Sequence, residues 1–203
     1  MKSRLLAKFS VSFIFLPRRL PNNEQDEPVT LGEDDRKRLQ YLQNWLRECK
    51  HIGCDGVESM SPERFDEFWN SLVWDTVIYE KDTNDKQLAK FAKYLEYMEA
   101  SLDPHDEDWW ARMAYVSSDV EKHFVRFSAN RRFCCTLNGR LGSMPKGAEV
   151  GDKICVLYGG SLPYVIRGCG NGRYRFIGDC YVHGVMYGEA MNMDIKTEEF
   201  ALI

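Results

Sequence analysis

Apolar positions recur at steps of three and four through residues 30–130 and then alternate in short runs to the end of the chain. Leu39, Leu42, Leu46 and Cys49 share one helical face. Thr30, with Glu33 three residues on, has the spacing of a capping box. A first helix is therefore predicted, stopped by Gly53 and Gly56. Ser61-Pro62 supplies a cap and a first-turn proline in the favoured order. Phe65, Phe68, Trp69, Leu72 and Val73 then line the inner face of a second helix. A third is predicted over Asp85 to Ala100, with Leu88, Phe91, Leu95 and Met98 inward and Asp103-Pro104 as its breaker. Trp110, Met113, Val116, Val120, Phe124 and Phe127 mark a fourth helical stretch.

After Asn130 the period changes to that of strands. Arg131 to Leu137 is a short apolar run ahead of Asn138-Gly139, a hairpin dipeptide because both residues tolerate positive φ. Further strands are predicted over Lys153 to Tyr158, Pro163 to Arg167, Arg173 to Val182 and Glu198 to Ile203. Gly151-Asp152, Gly159-Gly160 and Gly170-Asn171-Gly172 supply the turns. Strands this short and this often interrupted point to a small, strongly bent antiparallel sheet or barrel. The fold class is α+β, with a basic leader and linker over 1–29, a helical region over 30–130 and a β-rich module over 131–203, the last two forming one cooperative unit.

Composition narrows the function classes. At 203 residues, 44% of them hydrophobic, the chain can bury a core without disulfides or metal. Lys plus Arg number 27 against 31 Asp plus Glu, a net charge of −4 that argues against binding nucleic acid through phosphates. No apolar run reaches the length of a membrane helix. Seven scattered cysteines, an odd number, read as free thiols in a reducing compartment, which favours the cytoplasm. Lys2, Arg4, Lys8, Arg18 and Arg19, with no acidic residue before Glu24, give a transit-like start. Lys8 interrupts its apolar stretch, however, and Pro17-Arg18-Arg19 stands where a cleavage site would fall, so the segment reads as an apolar strand or short packing segment with basic flanks.

Few residues suggest chemistry. Cys49-x-His51-x-x-Cys54 has the ligand types of a zinc knuckle but lacks a fourth ligand, and Cys134-Cys135 would point to opposite faces of a strand. Cys180 and His183 form the only nucleophile-and-base candidate. Three residues apart on a strand they face opposite ways unless the chain turns at Gly184, so a core cysteine and a turn histidine is the competing reading. His105 among Asp103, Asp106, Glu107 and Asp108, beside Trp109-Trp110, reads as a solvated helix start. Gly139, Gly142 and Gly147 do not form a phosphate loop. No metal and no cofactor is expected.

An ordered series of uncommon elements fills the β-rich part. It begins with Arg131-Arg132-Phe133-Cys134-Cys135-Thr136 and continues through Gly151-Asp152-Lys153-Ile154, Gly159-Gly160 and Pro163 to Arg167. Gly178-Asp179-Cys180-Tyr181-Val182-His183-Gly184 and Gly188-Glu189-Ala190 complete it. The series resembles the carboxy-terminal region of fungal heterokaryon-incompatibility (HET) proteins. It departs from them at Ser143-Met144-Pro145 and in having Asp179 for the commoner Glu. The motifs of that family's amino-terminal HET domain do not occur, so the resemblance implies a stand-alone or truncated tail and carries no death-inducing activity over to any residue here.

The physical reading of the motif is scaffolding. Glycines shape turns, Arg167 and Glu189 find polar partners among apolar strands, and Tyr181 and His183 brace the turn at Gly184. The expected function is a non-enzymatic HET-related protein acting through protein contacts in nonself recognition or its regulation, with a full-length family member as a candidate partner. The alternative is an accessory protein or enzyme of fungal small-molecule metabolism, using a pocket near Cys180 and His183.

Overall fold

The computed structural model describes residues 5–6, 33–54, 58–75, 81–100, 120, 127–128, 130–193 and 197–203. Three helices come first: α1 (Glu33–Cys54), α2 (Pro62–Val73) and α3 (Lys81–Glu99). The strands are β1 (Leu5–Leu6), β2 (Arg131–Thr136), β3 (Leu141–Pro145), β4 (Lys153–Val156), β5 (Pro163–Gly168), β6 (Arg173–Asp179), β7 (Tyr181–Val182) and β8 (Ala201–Leu202), with a 3-10 turn over Glu189–Asn192. The α+β class is as expected.

Ser61 caps α2 as its sequence predicts, its hydroxyl accepting the Arg64 amide at 3.2 Å. Other limits differ. α1 runs through Gly53, where a Cβ would lie 2.5 Å from the Met60 methyl, so this glycine permits close packing rather than ending the helix. α3 starts at Lys81, and β4 stops at Val156, two residues short of Tyr158. Of the fourth helical stretch, Val120 and Phe127 are described and helical, Val120 being fully buried. Thr30, Gly56, Asp103-Pro104 and the His105 cluster lie outside the described residues.

One four-stranded sheet has the order β1-β2-β3-β7 and the other β4-β5-β6-β8. Every pairing is antiparallel except that of β6 with β8, where Arg173 meets Ala201 and Tyr174 meets Leu202. A parallel pair needs a connection of a dozen or more residues, and the stretch from Cys180 to Phe200 supplies it. β6 and β7 are separated only by Cys180, so one continuous run passes from the second sheet to the first. The Cys180 amide bonds the Pro163 carbonyl at 2.9 Å at this corner.

Two cores result. Cys134, Met144, Ile154, Val165, Cys180 and Val182 pack between the sheets. On the outer side of β2 and β3, Phe133 and Leu141 join Leu46, Phe68, Trp69, Phe91 and Tyr94 of the helices. Strand alternation divides the duty, Phe133 turning to the helices and Cys134 into the barrel. Phe68 and Phe133 meet edge-on at 5.3 Å. Arg64 fastens the layers, donating from Nη1 to the Gly139 carbonyl at 2.7 Å and to Glu67 at 2.6 Å, while Glu67 accepts the Leu141 amide at 2.7 Å.

Candidate functional site

The most constrained polar group sits where the helical layer meets the corner strand. Beyond α2, Trp74 and Asp75 both adopt left-handed backbone, φ 58° and 54°. Two consecutive non-glycine residues in that region mark local strain held by its surroundings. The Trp74 ring stacks on Phe127 at 5.9 Å and on Tyr181 at 6.1 Å, and the Arg131 guanidinium lies 4.4 Å from its centre. The turn drives the Asp75 carboxylate into the layer interface, leaving it 4% exposed.

There the Tyr181 hydroxyl faces the Asp75 carboxylate and stands 3.0 Å from His183 Nδ1. With the His183 Nδ1–H donating to the phenol oxygen, the phenol proton is left to turn toward Asp75. Asp75 Oδ1 is 3.9 Å from that nitrogen and has no hydrogen-bond partner among the described residues. Burial pushes the Asp75 pKa up, against the opposing pull of Tyr181 and His183, and Asp66 and Glu189 push it further. Burial first, then Asp75, holds the Tyr181 phenol far above its ordinary range, so it stays a donor.

Cys180 is separated from this set. Cys180 and Val182 face the barrel core, whereas Tyr181 and His183, two apart, face the helical side. Burial raises the Cys180 and Cys134 thiols well above the ordinary range, which keeps both protonated. Cys49, His51 and Cys54 all lie within α1, at offsets that point them in different directions, with Cys49 and Cys54 buried and His51 exposed. Burial, then Glu48, raises the Cys49 thiol. The structure does not bring these three together.

The remaining motif residues are engaged in the fold. Asp152 is 2% exposed. Its Oδ1 accepts Arg167 Nε at 2.7 Å, and its Oδ2 accepts Arg167 Nη2 at 2.9 Å and the Glu149 amide at 2.8 Å. Arg167 also reaches the Gly147 carbonyl at 2.8 Å and Glu149 at 3.0 Å, and its pKa is raised, chiefly by the bond to Asp152. Arg132 donates to the Lys146 carbonyl, and Glu189 accepts the Tyr187 amide at 2.6 Å. At Gly184, φ is 70° and a Cβ would come within 2.3 Å of Arg140 Nη1, the atom that donates to the His183 carbonyl at 3.1 Å. Gly151, Gly159 and Gly188 occupy turns, Gly160 packs under the Tyr164 ring, and Gly178 leads into the corner. Cys180, His183, Arg167 and Glu189 do not form one cleft: Arg167 belongs to the Asp152 pair and Cys180 to the core.

Sequence reasoning missed Asp75, Arg64 and Glu67. The only signal was the absence of glycine or proline just after Val73, where a helix end ordinarily finds one.

Two sheets joined by a corner strand around a shared core, with helices on one flank, define a two-sheet β domain with an α-helical layer. The Het-6 beta-barrel domain family matches residues 56–203, and the chain belongs to that family. The match takes in α2 and α3 as well as β2 to β8, so it reaches well ahead of the motif series that starts at Arg131. Heterokaryon incompatibility protein 6, OR allele, of Neurospora crassa is 30% identical over 144 residues, covering 61% of this chain and 21% of that protein. The chain thus spans about a fifth of the length of this curated relative. No solved structure matches. The relationship to HET proteins expected from the motif series therefore stands.

Proposed function

We propose that the chain works in heterokaryon incompatibility as a non-enzymatic contact module, binding another protein during nonself recognition or its regulation. The partner class is protein, with a full-length HET-family member first in line, and the setting is the cytoplasm, where seven free thiols would persist. The observation that carries the reading is the use of the motif residues. Arg167, Asp152, Arg132, Tyr181 and His183 bond one another or the backbone, and Cys180 is sealed in the core, so the distinctive side chains serve shape. Meanwhile Phe176 and Leu202 of the second sheet stay 46% and 47% exposed, apolar surface available to a partner.

Strain confrontation tests this. The chain is expressed in one of two otherwise compatible Neurospora crassa strains, and heterokaryon formation is scored. The wild-type chain should alter the outcome, Cys180→Ala and His183→Gln should act like wild type, and Phe176→Glu with Leu202→Glu should abolish the effect while folding normally. Loss of the effect in a folded Cys180→Ala chain, or no effect of the wild type, overturns the reading.

A further inference from the structure

A cleft of about 680 Å³ opens beside β4 and the β4–β5 connection, walled on the far side by the 3-10 turn and residues 197–200. This is the size range of small-molecule sites, which often lie at the mouths of β-barrels. Its walls are mainly apolar and include Ile166, Val185 and Met191, with Tyr158 on the rim, 77% exposed. Neither Cys180 nor His183 is among them. β4 has a strand neighbour on one side only among the described residues.

Besides Ser161, Thr197 and Glu198, one hydrogen-bonded polar pair interrupts the apolar lining. Lys153 Nζ donates to the Tyr174 hydroxyl at 2.7 Å and lies 4.9 Å from the centre of its ring, and both residues face the cleft. With the phenol oxygen acting as acceptor, the hydroxyl proton and two ammonium protons are left to donate, from two atoms spaced to meet the two oxygens of a carboxylate. No carboxylate among the described residues pairs with this ammonium, and the acidic residue of the walls, Glu198, is exposed on the rim.

We propose that this cleft binds an aliphatic monocarboxylate, its headgroup on Lys153 and Tyr174 and its chain along the apolar walls. Charge complementarity selects the anion. The flexible methionine and branched aliphatic walls accept an unbranched chain without demanding one shape.

Calorimetric titration of the full chain with decanoate, decanol and decylamine tests the assignment. Decanoate should bind and saturate at one site, and decanol should bind at least tenfold more weakly. Lys153→Met, which keeps the aliphatic stem, should weaken decanoate about tenfold or more, the worth of one charge-assisted hydrogen bond. Tyr174→Phe should weaken it severalfold, and Lys153→Arg should restore binding. Thermal melts confirm that each variant folds; should Lys153→Met fail, Tyr174→Phe and the decanol comparison decide. No binding of decanoate at millimolar concentration, equal binding of decanol, or unchanged affinity in Tyr174→Phe overturns the proposal. Because it rests on Lys153 and Tyr174 alone, it can fail while the contact function holds.

Discussion

Replacing Asp152 with alanine should cost the fold about 3 kcal/mol, and the figure follows from what the carboxylate touches. It accepts two hydrogen bonds from Arg167 and one from the Glu149 amide while 2% exposed. Bonds to a charged group contribute roughly 1.5–3 kcal/mol each, though not additively. Breaking a wholly buried ion pair costs about 3–5 kcal/mol. Arg167, however, is 28% exposed and keeps the Gly147 carbonyl and Glu149, so its charge is not stranded and the cost falls at the low end of that range. In a chain of this size each kcal/mol lowers the melting temperature by roughly 2–4 °C, so Asp152→Ala should melt about 6–12 °C below wild type.

The converse change, Arg167→Met, leaves a buried carboxylate with one amide and should cost more, about 4 kcal/mol. Glu149 meets the same guanidinium but is 64% exposed, so Glu149→Ala should cost less than about 1 kcal/mol. Urea unfolding at pH 7, followed by circular dichroism, gives all three values and that of the Asp152→Ala/Arg167→Met double variant. The double variant should be at least about 1.5 kcal/mol more stable than the sum of the two losses implies. Additive losses, or a cost below about 1 kcal/mol for Asp152→Ala, would refute the view that this pair anchors β5 to the turn before β4.

The other expectations concern the corner strand, the hairpin and the thiols. Because the folded pKa of Asp75 is raised, the native state holds that proton more tightly than the unfolded chain; its contribution is full below the ordinary carboxylate pKa and is lost as pH rises through the folded value. Asp75→Asn should therefore gain stability relative to wild type between acid and neutral pH in urea titrations, and a difference that does not change with pH contradicts this. A Cβ on Gly142 would lie 2.5 Å from the Tyr181 carbonyl, so Gly142→Ala should destabilise by about 1–3 kcal/mol through overpacking. Gly139→Ala meets open space at φ 79° and should lose only about 1 kcal/mol to backbone strain, the two being ranked by thermal melts. Iodoacetamide at pH 8 should label exposed Cys169 first, Cys155 (thiol pushed up to about 11 by burial) slowly, and Cys134 and Cys180 only on unfolding, as read by peptide mass spectrometry. Early labelling of Cys180 would contradict its sealed position.

How much of this was legible in the sequence depends on how local each signal is. The cap at Ser61, the turn at Asn138-Gly139 and the strand starting at Pro163 are written within a few residues, and the structure has them where expected. The strand predicted over Arg173 to Val182 is one run in sequence. Its division at Cys180 is set by the Pro163 carbonyl and by Pro145 beside Gly178, neither of which is near in the chain. The β6–β8 pairing was hidden for the same reason, since two residues at the chain's end carry no mark of orientation. Arg167 was recognisable as a charge that needed a partner; that its partner is Asp152 rather than Glu189 is a matter of three-dimensional neighbourhood. Asp75 gave no sign beyond the missing glycine or proline after Val73, because a single aspartate after an apolar helix reads as solvent-facing until the left-handed turn aims it inward.

That turn explains why the barrel and the helices meet as they do. Holding Trp74 and Asp75 in left-handed backbone costs about 1–3 kcal/mol each, and within α2 the Asn70 carbonyl, which accepts the Asp75 amide at 3.3 Å, offsets only part of it. The rest of the compensation comes from the strand side. Tyr181 stacks on the indole, Arg131 lies over it, and the Tyr181 hydroxyl faces the carboxylate. Aromatic pairing contributes about 0.5–1.5 kcal/mol beyond burial and a partly desolvated cation–π contact a similar amount. The strained segment is thus stable only against an assembled corner strand, and Tyr181 is held in place by a tryptophan from the helical layer. Alternation along β7 then assigns Cys180 to one core and Tyr181 to the other, so a single register at this corner positions both layers. A helical segment so dependent on the strands gives a physical reason why the family match begins at residue 56, ahead of α2, rather than at Arg131, the start of β2.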